Sequence, residues 1–277
     1  MTAAMTLDLD AYFERIGYSG PVSPGLDTLK ALHRLHPQAI SFDGLSPFLG
    51  DPVNLEIDAL QEKLVQRRRG GYCFEQNVLF WEVLKRIGFH VTGLTARVRL
   101  NWPADVITPR GHMALLVALP EGHYIADVGY GKLTLTAPCR LQANVEQSTP
   151  HEPVRIIELG DGISALQARL AAEWKTLYTF GLEEAFLPDY AVLNWYYSTH
   201  PESPFLTSLM MGRPQPGARH ALLNRRYSVQ DLTGRSEVRE LGSVYQLRQA
   251  LIDGFGVDIA HTKTLDGRFQ RLLATGS

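Results

Sequence analysis

Arg69-Gly70-Gly71-Tyr72-Cys73-Phe74-Glu75-Gln76-Asn77 is the stretch that decides how this 277-residue chain is read. Two adjacent glycines allow a tight turn and a close approach of another molecule to the backbone. Beyond them, Val78, Trp81, Leu84 and Ile87 recur at helical spacing, and Gly88 stands where such a helix would end. Cys73 therefore falls at a helix N-terminus. Unpaired backbone N–H groups and the helix dipole there favour thiolate over thiol, and the thiolate is the nucleophile. A free cysteine is more commonly a small buried hydrophobe, so the rest of the chain has to decide between the two readings.

N-terminal to this stretch the pattern is helical. Asp8 is placed to cap a helix burying Leu9, Tyr12, Phe13 and Ile16, with Gly17 at its end. Asp27 is placed to cap a second helix carrying Leu29, Leu32 and Leu35, stopped by Pro37. A Pro- and Gly-rich connection follows around 46–52, and Asp58 opens a helix through Leu60 and Leu64 toward Gly70.

C-terminal to it the period changes. Thr92, Leu94, Ala96, Val98 and Leu100 alternate with Gly93, Thr95, Arg97 and Arg99, as in a half-buried strand. The apolar run 113–119 predicts a strand covered on both faces, and 124–128 its hairpin partner across Pro120-Glu121-Gly122. Strand-like alternation continues near 154–159 and 174–180. From about Ala191 the chain changes again. Residues 194–205 are rich in aromatic and turn residues, 209–217 read as a loop, 221–232 as strands, and Ser243 as the cap of a final helix.

A nucleophilic cysteine needs a base, and the base needs a third group to orient it. With nine histidines available, only position separates them. His112 opens one arm of the predicted hairpin and Asp127 lies near the far end of the other, opposite some position from 112 to 116. Cross-strand Cβ atoms sit about 5 Å apart, although the register can also put the two side chains on opposite faces. Asp127 interrupts an apolar strand, where a carboxylate is costly unless paired; capping the turn into Gly129-Tyr130-Gly131 is its alternative. His33 and His36 share a helix face, but no acidic or cysteine partner completes a metal site. Cys139 reads as inert packing. Glu75 and Asn77 read as structural, with Glu75 satisfying orphan N–H groups or pairing with Arg68 or Arg69.

Bulk properties narrow the function. A formal net charge of −2 leaves no electrostatic footprint for nucleic acid, and no apolar run approaches the ~20 residues of a membrane span. Arg67-Arg68-Arg69 reads as a helix end that also adds a positive field beside Cys73. Met1–Met5 lacks the basic and apolar regions of a secretory signal. Two cysteines form no disulfide framework and suit a reducing compartment, so the expected location is cytoplasmic.

Taken together, the cysteine stretch, His112 and Asp127-Val128-Gly129-Tyr130-Gly131 closely resemble the arylamine N-acetyltransferase family, and Asn194-Trp195-Tyr196-Tyr197-Ser198-Thr199-His200-Pro201 looks like a further segment of it. The resemblance runs in order along nearly the whole chain. It implies an α+β fold with a cysteine-protease-like core: an N-terminal helical bundle (1–90) carrying the nucleophile, a central antiparallel β-barrel (91–193) carrying the triad His and Asp, and a C-terminal α/β lid (194–277). It implies a Cys73–His112–Asp127 triad and an acceptor site formed by Phe42, Tyr72, Gly129, Tyr130 and Phe205. It further implies no metal, no permanently bound cofactor, acetyl-CoA as co-substrate, and an arylamine, arylhydrazine or arylhydroxylamine acceptor, in a monomer or homodimer. Two departures stand out. Ser41-Phe42-Asp43-Gly44 replaces the family's usual Pro-Phe-Glu-Asn, and Tyr130 stands where phenylalanine is common, which implies a more polar pocket. The same triad order suits a thiol hydrolase or a transglutaminase-like enzyme, and a non-enzymatic alternative is an aromatic-amine binding protein.

Overall fold

A computed structural model describes residues 7–103, 105–260, 262 and 264–274; Met1–Met5 and His261 lie outside the described residues. Helix α1 (Leu9–Ile16) starts at Asp8, whose side chain accepts from Ala11 N at 3.0 Å, and ends at Gly17. Helix α2 (Leu26–Ala39) departs from expectation at both ends. Its cap is Gly25, whose carbonyl takes Leu29 N, so Asp27 lies in the first turn, where its charge faces the positive end of the dipole. Pro37 does not stop it either. So near the C-terminus the missing N–H removes a single bond, and Ile40 N still closes on the His36 carbonyl at 2.7 Å.

The connection expected around 46–52 contains a short helix. After β1 (Phe42–Asp43), α3 (Leu45–Leu49) holds Pro47 within its first turn, where backbone N–H groups have no intrahelical partner to lose. Helix α4 (Ile57–Leu60) runs on as a π-helical turn, Gln61–Gln66, to the glycine pair. Helix α5 (Cys73–Ile87), closed by Gly88, is buried along almost its whole length.

Seven antiparallel strands follow: β2 (His90–Val98), β3 (His112–Leu119), β4 (Gly122–Ala126), β5 (Cys139–Arg140), β6 (Val154–Gly160), β7 (Ile163–Leu170) and β8 (Glu173–Ala185). Their order is β5-β4-β3-β2-β8-β7-β6, and bridges from Ala143 to Ile156 and from Gln147 to Val154 nearly close the sheet into a barrel. Bulges in β6 and β8 supply the curvature. Strand β3 is covered on both faces, as its apolar run predicted. Met113, Leu115 and Val117 join the helical core, while Ala114 and Leu116 join the barrel interior.

The last part of the chain is more ordered than its composition suggested. Helix α6 (Leu187–Thr199) occupies much of the aromatic, turn-rich stretch, burying Tyr190, Asn194 and Ser198 at four-residue intervals. Its apolar residues point around the whole helix, with Val192 and Trp195 exposed, which hides the period. After α7 (Pro204–Thr207), the expected loop at 209–217 is strand β9 (Met210–Gln215), disguised by Gly212 and Pro214. Strands β10 (Ala218–Leu223), β11 (Arg226–Asp231) and β12 (Ser236–Glu240) follow. Helix α8 (Val244–Gln249) is capped by Ser243 as expected but is not final; it continues as a π-helical turn, and α9 (Leu265–Ala274) comes after it. The second sheet has the order β1-β9-β10-β11-β12, so an N-terminal strand edges a C-terminal sheet. No described helix is long and apolar enough to cross a membrane.

Candidate active site

Cys73 is the first residue of α5 and opens onto a cavity of about 880 Å³ between the barrel and the face of the second sheet. The turn before it is held by its own chain. A Cβ on Gly70 would lie 2.4 Å from the Ser41 carbonyl, so the close approach these glycines permit is to residue 41. Glu75 Oε2 accepts from Tyr72 N at 3.1 Å and satisfies the helix start, as expected. Its ion-pair partner is Lys63, at 2.6 Å, rather than Arg68 or Arg69. Burial pushes the Glu75 carboxyl up, and the Lys63 charge works against it. Arg67 pairs with Glu62, and Arg69 lies 4.0 Å from Asp43; none of the three arginines lines the cavity.

His112 begins β3, and Asp127 immediately follows β4. The hairpin pairs Leu115 with Ala126. In the two-residue period His112 goes with Ala114 and Asp127 with Ile125, both of the barrel-side set, so the register brings the two side chains to one face. His112 Nε2 meets Asp127 Oδ2 at 2.7 Å, with both side chains buried. This leaves Nδ1 for Cys73. Burial pushes the imidazole down, but the Asp127 charge, its hydrogen bond and the contact with Cys73 outweigh it and raise His112 to about 10. Burial likewise favours the neutral acid at Asp127, yet the His112 charge and donors from His112, Asn77 and Gly129 hold the carboxyl below its usual range.

Two residues around Asp127 were not identified as part of the site from sequence. Asn77, one helical turn beyond Cys73, donates from Nδ2 to Asp127 Oδ1 (3.0 Å) and to the Met113 carbonyl (2.8 Å), while its Oδ1 accepts from Val128 N (3.0 Å). The spacing of four residues was the available signal, since it puts Asn77 on the same helix face as the thiol. His33 Nε2 accepts from Asp127 N at 3.0 Å. Burial lowers His33 to about 4, so the ring is neutral and can accept; nothing in its neighbourhood in sequence announces this contact. His36 lies between the Tyr12 hydroxyl (2.8 Å) and Gln76 (2.6 Å). Among the described residues no group of His, Cys, Asp or Glu is arranged to hold a metal.

Phe42, Gly129, Tyr130 and Phe205 line the cavity together with Cys73 and His112. Tyr72 does not. It is buried behind the wall, its ring 5.3 Å from that of Phe205, and its hydroxyl donates to Asn194 Oδ1. Gly129 cannot carry a side chain, because a Cβ there would lie 2.9 Å from Cys73 Cα. Tyr130 stands edge-on to His112, with ring centroids 5.2 Å apart, and donates its hydroxyl to the Leu177 carbonyl at 2.7 Å. That bond removes the polarity which tyrosine in place of phenylalanine implied. Asp43 is likewise accounted for: its Oδ1 accepts from Leu45 N at 2.6 Å and anchors α3. Cys139, opposite Ile125, is buried away from the cavity, and burial pushes its thiol up to about 12. Sequence reading also missed Gly111 and Tyr197, which lie against the cavity beside His112.

Comparison with known proteins gives a single direction. Residues 25–264 match a family model described as N-acetyltransferase. An arylamine N-acetyltransferase of Mycolicibacterium smegmatis is 42% identical over 259 residues, covering 92% of this chain and 94% of its own. The structure of the Mycobacterium marinum arylamine N-acetyltransferase superposes with a TM-score of 0.92 at 38% identity, covering 96% of this chain and 100% of that one. A structure of the M. marinum enzyme in complex with CoA gives a TM-score of 0.91 at 37% identity, with 96% and 99% covered.

Proposed function

The chain belongs to the arylamine N-acetyltransferase family, and from that premise we propose that Cys73 carries the acetyl group between acetyl-CoA and an arylamine, with His112 moving the protons and Asp127 holding His112. One observation carries this assignment of roles: a buried imidazole is fixed by a carboxylate through Nε2 at 2.7 Å, and its other nitrogen is left toward a helix-terminal thiol in a shared cavity. The Cys73 thiolate attacks the thioester carbonyl carbon. A carbon–sulfur bond forms to Cys73, the bond to the CoA sulfur breaks, and the departing thiolate takes a proton from His112. The amine nitrogen then attacks the acetyl-Cys73 carbonyl and passes its proton to His112, and Cys73 leaves as thiolate. Asp127 keeps the hydrogen on Nε2 throughout, so that Nδ1 is the nitrogen that works.

Acetyl-CoA is a substrate of this cycle, consumed and released as CoA. Phe42, Gly129, Tyr130 and Phe205 are proposed as the acceptor wall, apolar and flat enough for an aromatic ring. All three triad residues come from one chain, so a single copy holds a complete site whether the protein is a monomer or a homodimer. The division at residues 90 and 193 into helical, barrel and lid parts, and a cytoplasmic location, belong to the same proposal. A thiol hydrolase would use this triad with water as acceptor; family membership favours the amine. Mixing with acetyl-CoA should give one acetyl adduct on Cys73 by intact-protein mass spectrometry, discharged by an aromatic hydrazine. An adduct elsewhere, or discharge by water alone at the same rate, would overturn the assignment.

A further inference from the structure

Tyr197, on α6, puts its ring into the same cavity as Cys73 and His112. The ring lies 6.1 Å from Phe74, the residue after the thiol, and 6.1 Å from Phe205. The hydroxyl reaches the backbone immediately before His112: a Cβ on Gly111 would lie 1.8 Å from the Tyr197 oxygen. Gly111 is therefore the residue that lets a phenol reach the backbone beside His112, in the cavity that Cys73 shares.

Two of the neighbouring tyrosine hydroxyls are engaged. Tyr130 donates to the Leu177 carbonyl and Tyr72 to Asn194; the buried Tyr178 hydroxyl has no partner among the described residues, but Tyr178 does not line the cavity. The Tyr197 hydroxyl makes no hydrogen bond to any described residue, although the residue is half-buried. Burial, followed by the charge on Cys73, pushes its pKa up to about 12, so it keeps its proton wherever the enzyme works. The residue lines the cavity and its oxygen is not among the buried, unpartnered polar atoms, so the hydroxyl is free to donate to an acceptor that enters there.

We infer that the Tyr197 hydroxyl is a hydrogen-bond donor to the carbonyl oxygen of the acyl group during its transfer to and from Cys73. When the thiolate adds to the thioester, negative charge develops on that oxygen; when the tetrahedral adduct collapses, the charge returns to the carbon–sulfur bond that breaks. Tyr197 donates throughout and loses no proton, so the step balances as already written for Cys73 and His112. A preorganised donor of this kind is typically worth about 10²-fold in rate, with much less effect on substrate affinity. The inference rests on the acetyl-Cys73 reading.

Tyr197→Phe tests it, since the ring and its contacts with Phe74 and Phe205 are kept. The acetylation rate constant, measured as CoA release in a single turnover, should fall about 10²-fold, with the acetyl-CoA concentration for half-saturation changing less than about threefold. The carbonyl stretch of the acetyl-enzyme, made with 13C-carbonyl acetyl-CoA, should move to higher frequency in the variant as a hydrogen bond is lost. Acetylation within about threefold of the wild-type rate, or an unmoved carbonyl band, overturns the role of Tyr197 while leaving Cys73 as nucleophile. Absence of any adduct on Cys73 in the wild-type protein overturns both.

Discussion

Replacing Asp127 by asparagine is the most discriminating perturbation of the site, because the surroundings dictate how the amide must sit. Oδ1 of Asp127 accepts from Asn77 Nδ2 and from Gly129 N, at 3.0 and 2.9 Å, while Oδ2 faces His112 Nε2. An amide NH2 in the Oδ1 position would oppose two donors. The oxygen therefore stays there and the NH2 is forced against Nε2. To accept from it, Nε2 must give up its hydrogen, and Nδ1 then carries the proton and cannot take one from the thiol. The same exchange in a Ser-His-Asp triad costs about 10⁴ in turnover. Here two of the three bonds to the side chain survive and the volume is unchanged, so the fold should persist. The acetylation rate constant should fall about 10³- to 10⁴-fold, or about 4–5.5 kcal/mol of barrier. Stopped-flow detection of CoA thiol release with enzyme in excess measures that step directly, and circular dichroism checks the fold. A rate within about tenfold of wild type, in a folded protein, would show that Asp127 does not choose the His112 tautomer.

Other consequences can be checked at the bench. Asn77→Ala strips Asp127 of a donor and Val128 N of its acceptor; it should cost about 1–3 kcal/mol in a urea titration, with activity falling alongside. Gly129→Ala, whose Cβ would press on Cys73 Cα, should lower both melting temperature and acetyl transfer; a variant with normal kinetics would mean the nucleophile's backbone is not tightly held. Iodoacetamide should add one group, to Cys73, and leave the buried Cys139 untouched, as peptide mapping would reveal. The last concerns pH. Because His112 is raised in the folded protein from about 6.5 to about 10, its contribution to stability is complete below about pH 6.5 and is lost as the pH climbs to about 10. The stability gap between wild type and His112→Gln should narrow over that interval, and a gap constant with pH would contradict the raised value.

How much of this was legible beforehand depends on where each partner lies along the chain. Cys73 could be read from a glycine pair meeting a helical period, and His112 and Asp127 from the arithmetic of one hairpin, because those are local relations. Their shared face could not be read, since a one-residue slip in register reverses it. His33 escaped because its contact with Asp127 joins α2 to the end of β4, and nothing local to a histidine on a buried helix distinguishes ligand, base and backbone acceptor. Helix α6 and strand β9 were hidden for opposite reasons. One is apolar on every side, so no face stands out; the other carries a glycine and a proline in a sheet that tolerates them. Tyr130 shows the remaining limit. Its hydroxyl is visible in the sequence, but the Leu177 carbonyl that takes it is not.

The two-residue strand at Phe42 and Asp43 has a consequence for how the protein comes into being. Phe42 bridges to Gly71 on one side and pairs with Gly212 on the other, and Gly44 N bonds to the Met210 carbonyl. Translation delivers Cys73 early, yet one wall of its cavity has nothing to dock on until more than two hundred residues have emerged. A nascent polypeptide that ends before Met210 therefore presents Phe42 and the turn into Cys73 without the C-terminal sheet that encloses the cavity beside them, so the chamber closes only late in synthesis.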